Sequence, residues 1–222
     1  MIMVSSILGA LLVAGAYYGT IWMADKRTDL ELRKNGRMIV SNSVLLTGSI
    51  SFLVMVWLGS VSFWAIPLSE TVLQYVLIWG MSVLAVIDHK KHVIPNRLLL
   101  FLTAVWTAVA GAAIIRETAY GMALLFQSLA GALAGGLIFL FCYVLSRRQL
   151  GAGDVKLAFV MGLYLTGQRI IGAVFYGIIA CFFYSVIQLI RKKIGLKDGI
   201  PLVPFLYIGV LITLCIMSAP GN

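Results

Sequence analysis

Long apolar runs alternate with short charged connections along the whole chain. The first run, Met1 to Met23, has the roughly 20 residues needed to cross a bilayer, and its charges (Asp25, Lys26, Arg27) follow rather than precede it. A secretory signal peptide has the reverse arrangement, so this run is expected to be a retained anchor. After a polar connection from Asp25 to Ser43, the pattern predicts spans over Val44–Trp64, Thr71–Ile87, Leu98–Ile115, Ala119–Ser146, Val155–Gly167, Ile170–Ile190 and Pro201–Ser218. The expected fold is therefore all-α: a polytopic membrane protein of about eight transmembrane helices. Residues 1–70 would hold two N-terminal spans joined by a short basic loop, and residues 71–222 a second membrane domain.

Composition agrees. Of 222 residues, 61% are hydrophobic, and the mean hydropathy is +1.02. A soluble domain carries roughly 45–50% apolar residues. The net charge of +9 is a matter of orientation rather than of nucleic-acid binding. If alternate connections share a side, fifteen of the seventeen lysines and arginines fall on one side and only Arg116 and Arg169 on the other. The positive-inside bias makes the fifteen cytoplasmic and puts both termini outside. Cys142, Cys181 and Cys215 lie within apolar runs, with no C-x-x-C pair, so they are read as packing residues.

Among only eight acidic residues, two occupy unusual positions. Asp88 directly follows the apolar run Met81–Ile87, and Asp154 follows the turn Gly151-Ala152-Gly153 at the mouth of the next-but-two span. Both fall on the cytoplasmic side. An ionisable group at membrane depth is costly and is by default a functional candidate. At a helix C-terminus Asp88 meets the negative end of the dipole, a poor position for stability alone. Asp154 opens a helix whose orphan N–H groups favour it. The span that it opens has 13 residues, about 20 Å, well short of a hydrocarbon core of roughly 30 Å. One way to meet that deficit draws Asp154 into the membrane, where irregular backbone survives only if protein or a water-filled cavity covers it. The two glycines are expected to allow positive φ and close backbone approach. Two carboxyls sharing one proton can activate water and protonate a carbonyl, the chemistry of aspartic proteases.

With their surroundings these residues resemble the prepilin peptidases (type IV leader peptidases), aspartic proteases of the G-x-G-D class. Asp88 with Ile94-Pro95-Asn96, then Gly151-Ala152-Gly153-Asp154-Val155-Lys156-Leu157, then Ile200-Pro201-Leu202-Val203-Pro204-Phe205 are similar to the family's motifs in order, over roughly residues 72–210. The resemblance implies that Asp88 and Asp154 are the catalytic pair, in a multi-pass enzyme of the bacterial inner membrane. It also implies a substrate: the cytoplasmic leader of prepilin-like proteins, cut just ahead of their hydrophobic N-terminal helix. The bifunctional members carry a long loop with two C-x-x-C pairs after the first helix and also N-methylate the product. Here that loop is about 19 residues without cysteine, so neither methyltransferase activity nor zinc is expected.

Around the pair, Gly151, Gly153 and Lys156 are assigned to the active-site loop. Pro201 and Pro204 are assigned to substrate binding, because residues 197–204 resist a regular helix and could pair with an extended peptide. The same two prolines could instead only set the entry angle of the last helix. Pro95 is expected to start a helix. His89 and His92 have metal-ligand spacing but sit in a basic, solvated loop, so no metal and no cofactor is expected. The expected partners are prepilin-like substrates and the lipid bilayer, with no nucleic acid. An ion-coupled transporter also uses paired intramembrane carboxylates, but no matched broken segments recur in the two halves. A non-catalytic assembly factor would leave the acidic pair replaceable.

Overall fold

The computed structural model describes residues 33–34, 37–38, 42–62, 67–146, 150–192 and 199–217. The first expected span, Met1 to Met23, lies outside them. Arg33–Lys34 (β1) and Arg37–Met38 (β2) form a two-residue antiparallel ladder. These two-residue strands leave the all-helical expectation standing. Every other described element is helical: α1 (Asn42–Ser62), α2 (Leu68–Lys91), α3 (Asn96–Arg116), α4 (Thr118–Leu145), α5 (Ala152–Ile190) and α6 (Val203–Met217). By length and composition α2, α3, α4 and α5 are each capable of crossing a membrane.

Helix α2 is the axis of the bundle. Every residue from Leu77 to Asp88 is buried, as expected of a helix that is apolar all round. It packs against α1, α3, α5 and α6. The outer helices instead present large apolar side chains to their surroundings, such as Leu133 and Phe141 on α4 and Phe175 and Phe182 on α5. Water would not tolerate such a surface, and lipid does. The protein is therefore a multi-pass membrane protein.

The sequence pattern separates a short sixth span from a seventh near Gly167. Ala152–Ile190 is two helices joined at a kink, where Thr166 has φ 61° and ψ −177°, far from helical. That region is essentially glycine's, so a β-branched residue there is strained. The chain folds back at this point. A methyl group on Gly135 would touch both the carbonyl of Ala158 and the side chain of Ile170, residues that a straight helix would hold about 18 Å apart. The two limbs of α5 thus correspond in sequence to the two expected segments, and Thr166 is the turn between them.

Small residues make the crossings close. Gly121, Ser128, Gly131, Ala132, Gly135 and Gly136, with Leu124 and Phe139 toward its ends, form the buried face of α4. A methyl group on Gly162 would overlap the carbonyl of Gly131, and one on Gly209 of α6 the carbonyl of Ala173. Small-residue faces let helix backbones approach in membranes, where apolar burial between helices drives little.

Candidate active site

Two turns and one helix start converge at one end of the bundle. Helix α2 runs one turn beyond the expected Ile87, so Asp88 lies in its last turn rather than after it. His92 closes the helix in the left-handed conformation, φ 51° and ψ 38°, its N–H donating to the Asp88 carbonyl at 2.8 Å. Asp88 is only 6% exposed. Its Oδ2 accepts a hydrogen bond from the backbone N–H of Val203 at 3.1 Å. Val203 is the first residue of α6, where N–H groups have no partner within the helix. Pro204, next in line, has no N–H at all. The unfavourable dipole at the end of α2 is thereby offset by a donor at the start of α6, a partnership that no single-helix argument from sequence could supply.

Asp154 stands in the first turn of α5 with Gly151 at the N-cap. Its Oδ2 accepts from the Gly151 N–H at 3.2 Å, and its own N–H donates to the Gly151 carbonyl at 3.0 Å. Gly151 has φ −70° and ψ 137°, a conformation open to any residue, so the expected need for positive φ does not hold there. The glycines act through the space that they leave. A methyl group on Gly151 would sit 3.0 Å from the Asp154 carboxylate, and one on Gly153 would press on Ile94 at 3.2 Å.

The same contacts tie the loops together. Ile94 packs against Gly153, and Lys156 Nζ donates to Asn96 Oδ1 at 3.2 Å. Pro95 is the N-cap of α3 and not its first residue, and its carbonyl accepts from the N–H groups of Leu98 and Leu99. Asp88 and Asp154 are thus brought close enough for the charge of one to act on the other. His89 and His92 are both exposed, one and four residues after Asp88. Among the described residues no group of three or more His, Cys, Asp or Glu could hold a metal.

Each residue assigned from sequence can now be placed. Asp88, Asp154, Gly151, Gly153 and Lys156 share one end of the bundle. Pro201 and Pro204, both half-buried, flank the Val203 amide on which Asp88 rests. Residues 199–202 carry no strand, and Lys197 and Asp198 lie outside the described residues. The reading from sequence missed the Val203 N–H. Its only trace is a helix start marked by prolines on the same membrane side as the aspartates. Chemically, two carboxyls whose charges act on each other can differ in protonation, leaving one as base and the other as acid.

A family model described as the type IV leader peptidase family matches residues 75–186, half of the chain, and holds both aspartates and the glycine turn but not Pro201–Pro204. No curated protein and no solved structure matches. The chain belongs to the type IV leader peptidase family.

Proposed function

We propose that this protein is an aspartic endopeptidase of the bacterial cytoplasmic membrane that removes the cytoplasmic leader of prepilin-like substrates. The observation that carries the reading is the convergence of Asp88 and Asp154. They come from segments 66 residues apart in sequence, held in electrostatic reach at one end of an otherwise apolar bundle. Eight spans with both termini outside place that end at the cytoplasmic face, where fifteen of seventeen basic residues lie.

In this mechanism the ionised carboxylate takes a proton from water as the water oxygen bonds to the scissile carbonyl carbon. The protonated carboxyl donates to the carbonyl oxygen. The resulting diol collapses, the C–N bond breaks, and the leaving nitrogen takes a proton from the pair. The pair titrates as a unit, so the proton belongs to both. The bond from Val203 holds Asp88 in place through the cycle, and Pro201 and Pro204 line the path of the extended leader. Co-expression with a prepilin tests the reading: leader removal produces a faster-migrating band, and its absence with both proteins in the membrane overturns it.

The Val203 donor can be deleted without side-chain chemistry. Val203→Pro removes the N–H at a helix position that proline favours, and Val203→Ala controls for volume. A hydrogen bond to a charged group contributes about 1.5–3 kcal/mol, so the proline variant should lose roughly 10–100-fold in kcat with little change in KM. Pro201→Ala with Pro204→Ala should instead raise KM. Steady-state kinetics on a synthetic leader peptide separates the two.

With no cysteine in the connection from Asp25 to Ser43, the released substrate should carry a free N-terminal amine. Mass spectrometry of product made in a host lacking other such enzymes checks this, and an added methyl group would contradict it.

A further inference from the structure

A second polar site lies at the opposite end of the bundle. Glu70 is 18 residues before Asp88 on the same helix, about 27 Å away along its axis, close to the thickness of a hydrocarbon core. There a cavity of about 540 Å³ is lined by Glu70, Gln74, Gln127, Tyr164, Gln168 and Arg169, with the Thr166–Gly167 turn completing its wall. That volume is within the range of ligand pockets, roughly 300–1,000 Å³.

Two observations indicate what it would take. Gln74 is only 4% exposed, yet its Nε2 has no hydrogen-bond partner among the described residues. A buried amide donor left unpaired costs about 1–3 kcal/mol, and because Gln74 lines the cavity, rotating its amide toward an acceptor held there would remove that cost. The second is the ion pair. Arg169 meets Glu70 through a single contact at 3.5 Å with both side chains about a quarter exposed, and Tyr120 reaches the other Glu70 oxygen at 3.4 Å. These are long contacts. Both ions keep unused capacity toward the same cavity: donors on Arg169, lone pairs on Glu70.

The geometry points to a zwitterionic ligand carrying a phosphate and a primary ammonium, the chemistry of a phosphoethanolamine headgroup. Its phosphate takes the N–H groups of Arg169 and Gln74, and its ammonium donates to Glu70. A stretched pair of opposite charges thus becomes two short ones. Phe126 and Leu129, exposed on α4 beside the cavity-lining Gln127, offer apolar surface to acyl chains. The site is independent of the aspartate pair and of the reaction proposed for it.

The test uses the purified full chain. Phosphatidylethanolamine, phosphatidylcholine and phosphatidylglycerol are added to it in turn, and free phosphoethanolamine and inorganic phosphate form two further arms. Binding is read by native mass spectrometry and by the thermal midpoint. Phosphatidylethanolamine should bind at least tenfold more tightly than phosphatidylcholine, whose quaternary nitrogen has no N–H for Glu70, and than phosphatidylglycerol, which has no cation. Glu70→Gln should remove that preference, whereas Gln74→Leu and Arg169→Gln should each weaken the binding of all three lipids at least tenfold. If free phosphoethanolamine competes at similar concentrations, the same chemistry is supplied by a soluble source; if it does not, by the lipid. Equal binding of all three lipids to the unaltered protein overturns the proposal, whatever the variants do. Saturation by inorganic phosphate alone also overturns it.

Discussion

Asp88→Asn and Asp154→Asn should each abolish leader cleavage while the protein still accumulates in the membrane. Asparagine keeps the size of aspartate and the hydrogen bond from Val203 or Gly151, but it cannot hold or release the shared proton. Removing a general acid or base costs on the order of 10²–10⁴-fold in rate. Because each carboxyl works only with the other, the double variant should be no worse than either single one. Glu117→Gln is the control: this exposed acid lies between α3 and α4, at the end remote from the pair, and its loss should leave the rate unchanged. Near-normal cleavage by either aspartate variant would sink the aspartic mechanism, and a non-catalytic assembly role would then fit better.

The second large effect concerns assembly. Gly162 and Gly131 bring α5 and α4 into backbone contact, and a Cβ on Gly162 also meets the Cα of Ala132 at 2.6 Å. Backbone cannot swing aside as a side chain can. Gly162→Val should therefore separate the helices, destabilising the bundle by about 3 kcal/mol or more, and the protein should fail to accumulate. Gly111→Ala is the contrast. It lies in α3 with nothing within 4 Å of the added methyl group, so stability should hold or rise slightly. Membrane abundance and the detergent-solubilised thermal midpoint report both. Normal accumulation of Gly162→Val would show that the crossing is looser than its geometry implies.

Much of this was legible because membranes impose simple rules. Apolar runs of sufficient length marked the helices, and the lysine and arginine distribution put Asp88 and Asp154 on one side. The break between the two limbs of α5 was readable from the length of the run before Gly167 alone, although the turn falls on Thr166, whose residue type argues against a positive φ. What stayed hidden involves partners distant in the chain. Nothing in the pattern couples Val203 to Asp88, since a backbone N–H carries no residue signature. Lys156 was assigned to the active-site loop, but its bond to Asn96, 60 residues earlier, had no trace in the pattern. The roles of Gly151 and Gly153 were misread: side chains, the Asp154 carboxylate and Ile94, come close to them rather than another backbone, and neither has a positive φ.

The first limb of α5 has a mechanical consequence. From Asp154 to the turn at Thr166 the helix rises about 18 Å, while α2 beside it runs the full depth. Every residue from Leu157 to Leu165 except Phe159 is buried, so neighbouring helices rather than lipid surround this limb. A limb of about 18 Å inside a bundle that must span roughly 30 Å leaves its ends beneath the membrane surface. The carboxyl at its start can therefore lie below the headgroups while the helices around it still reach both faces.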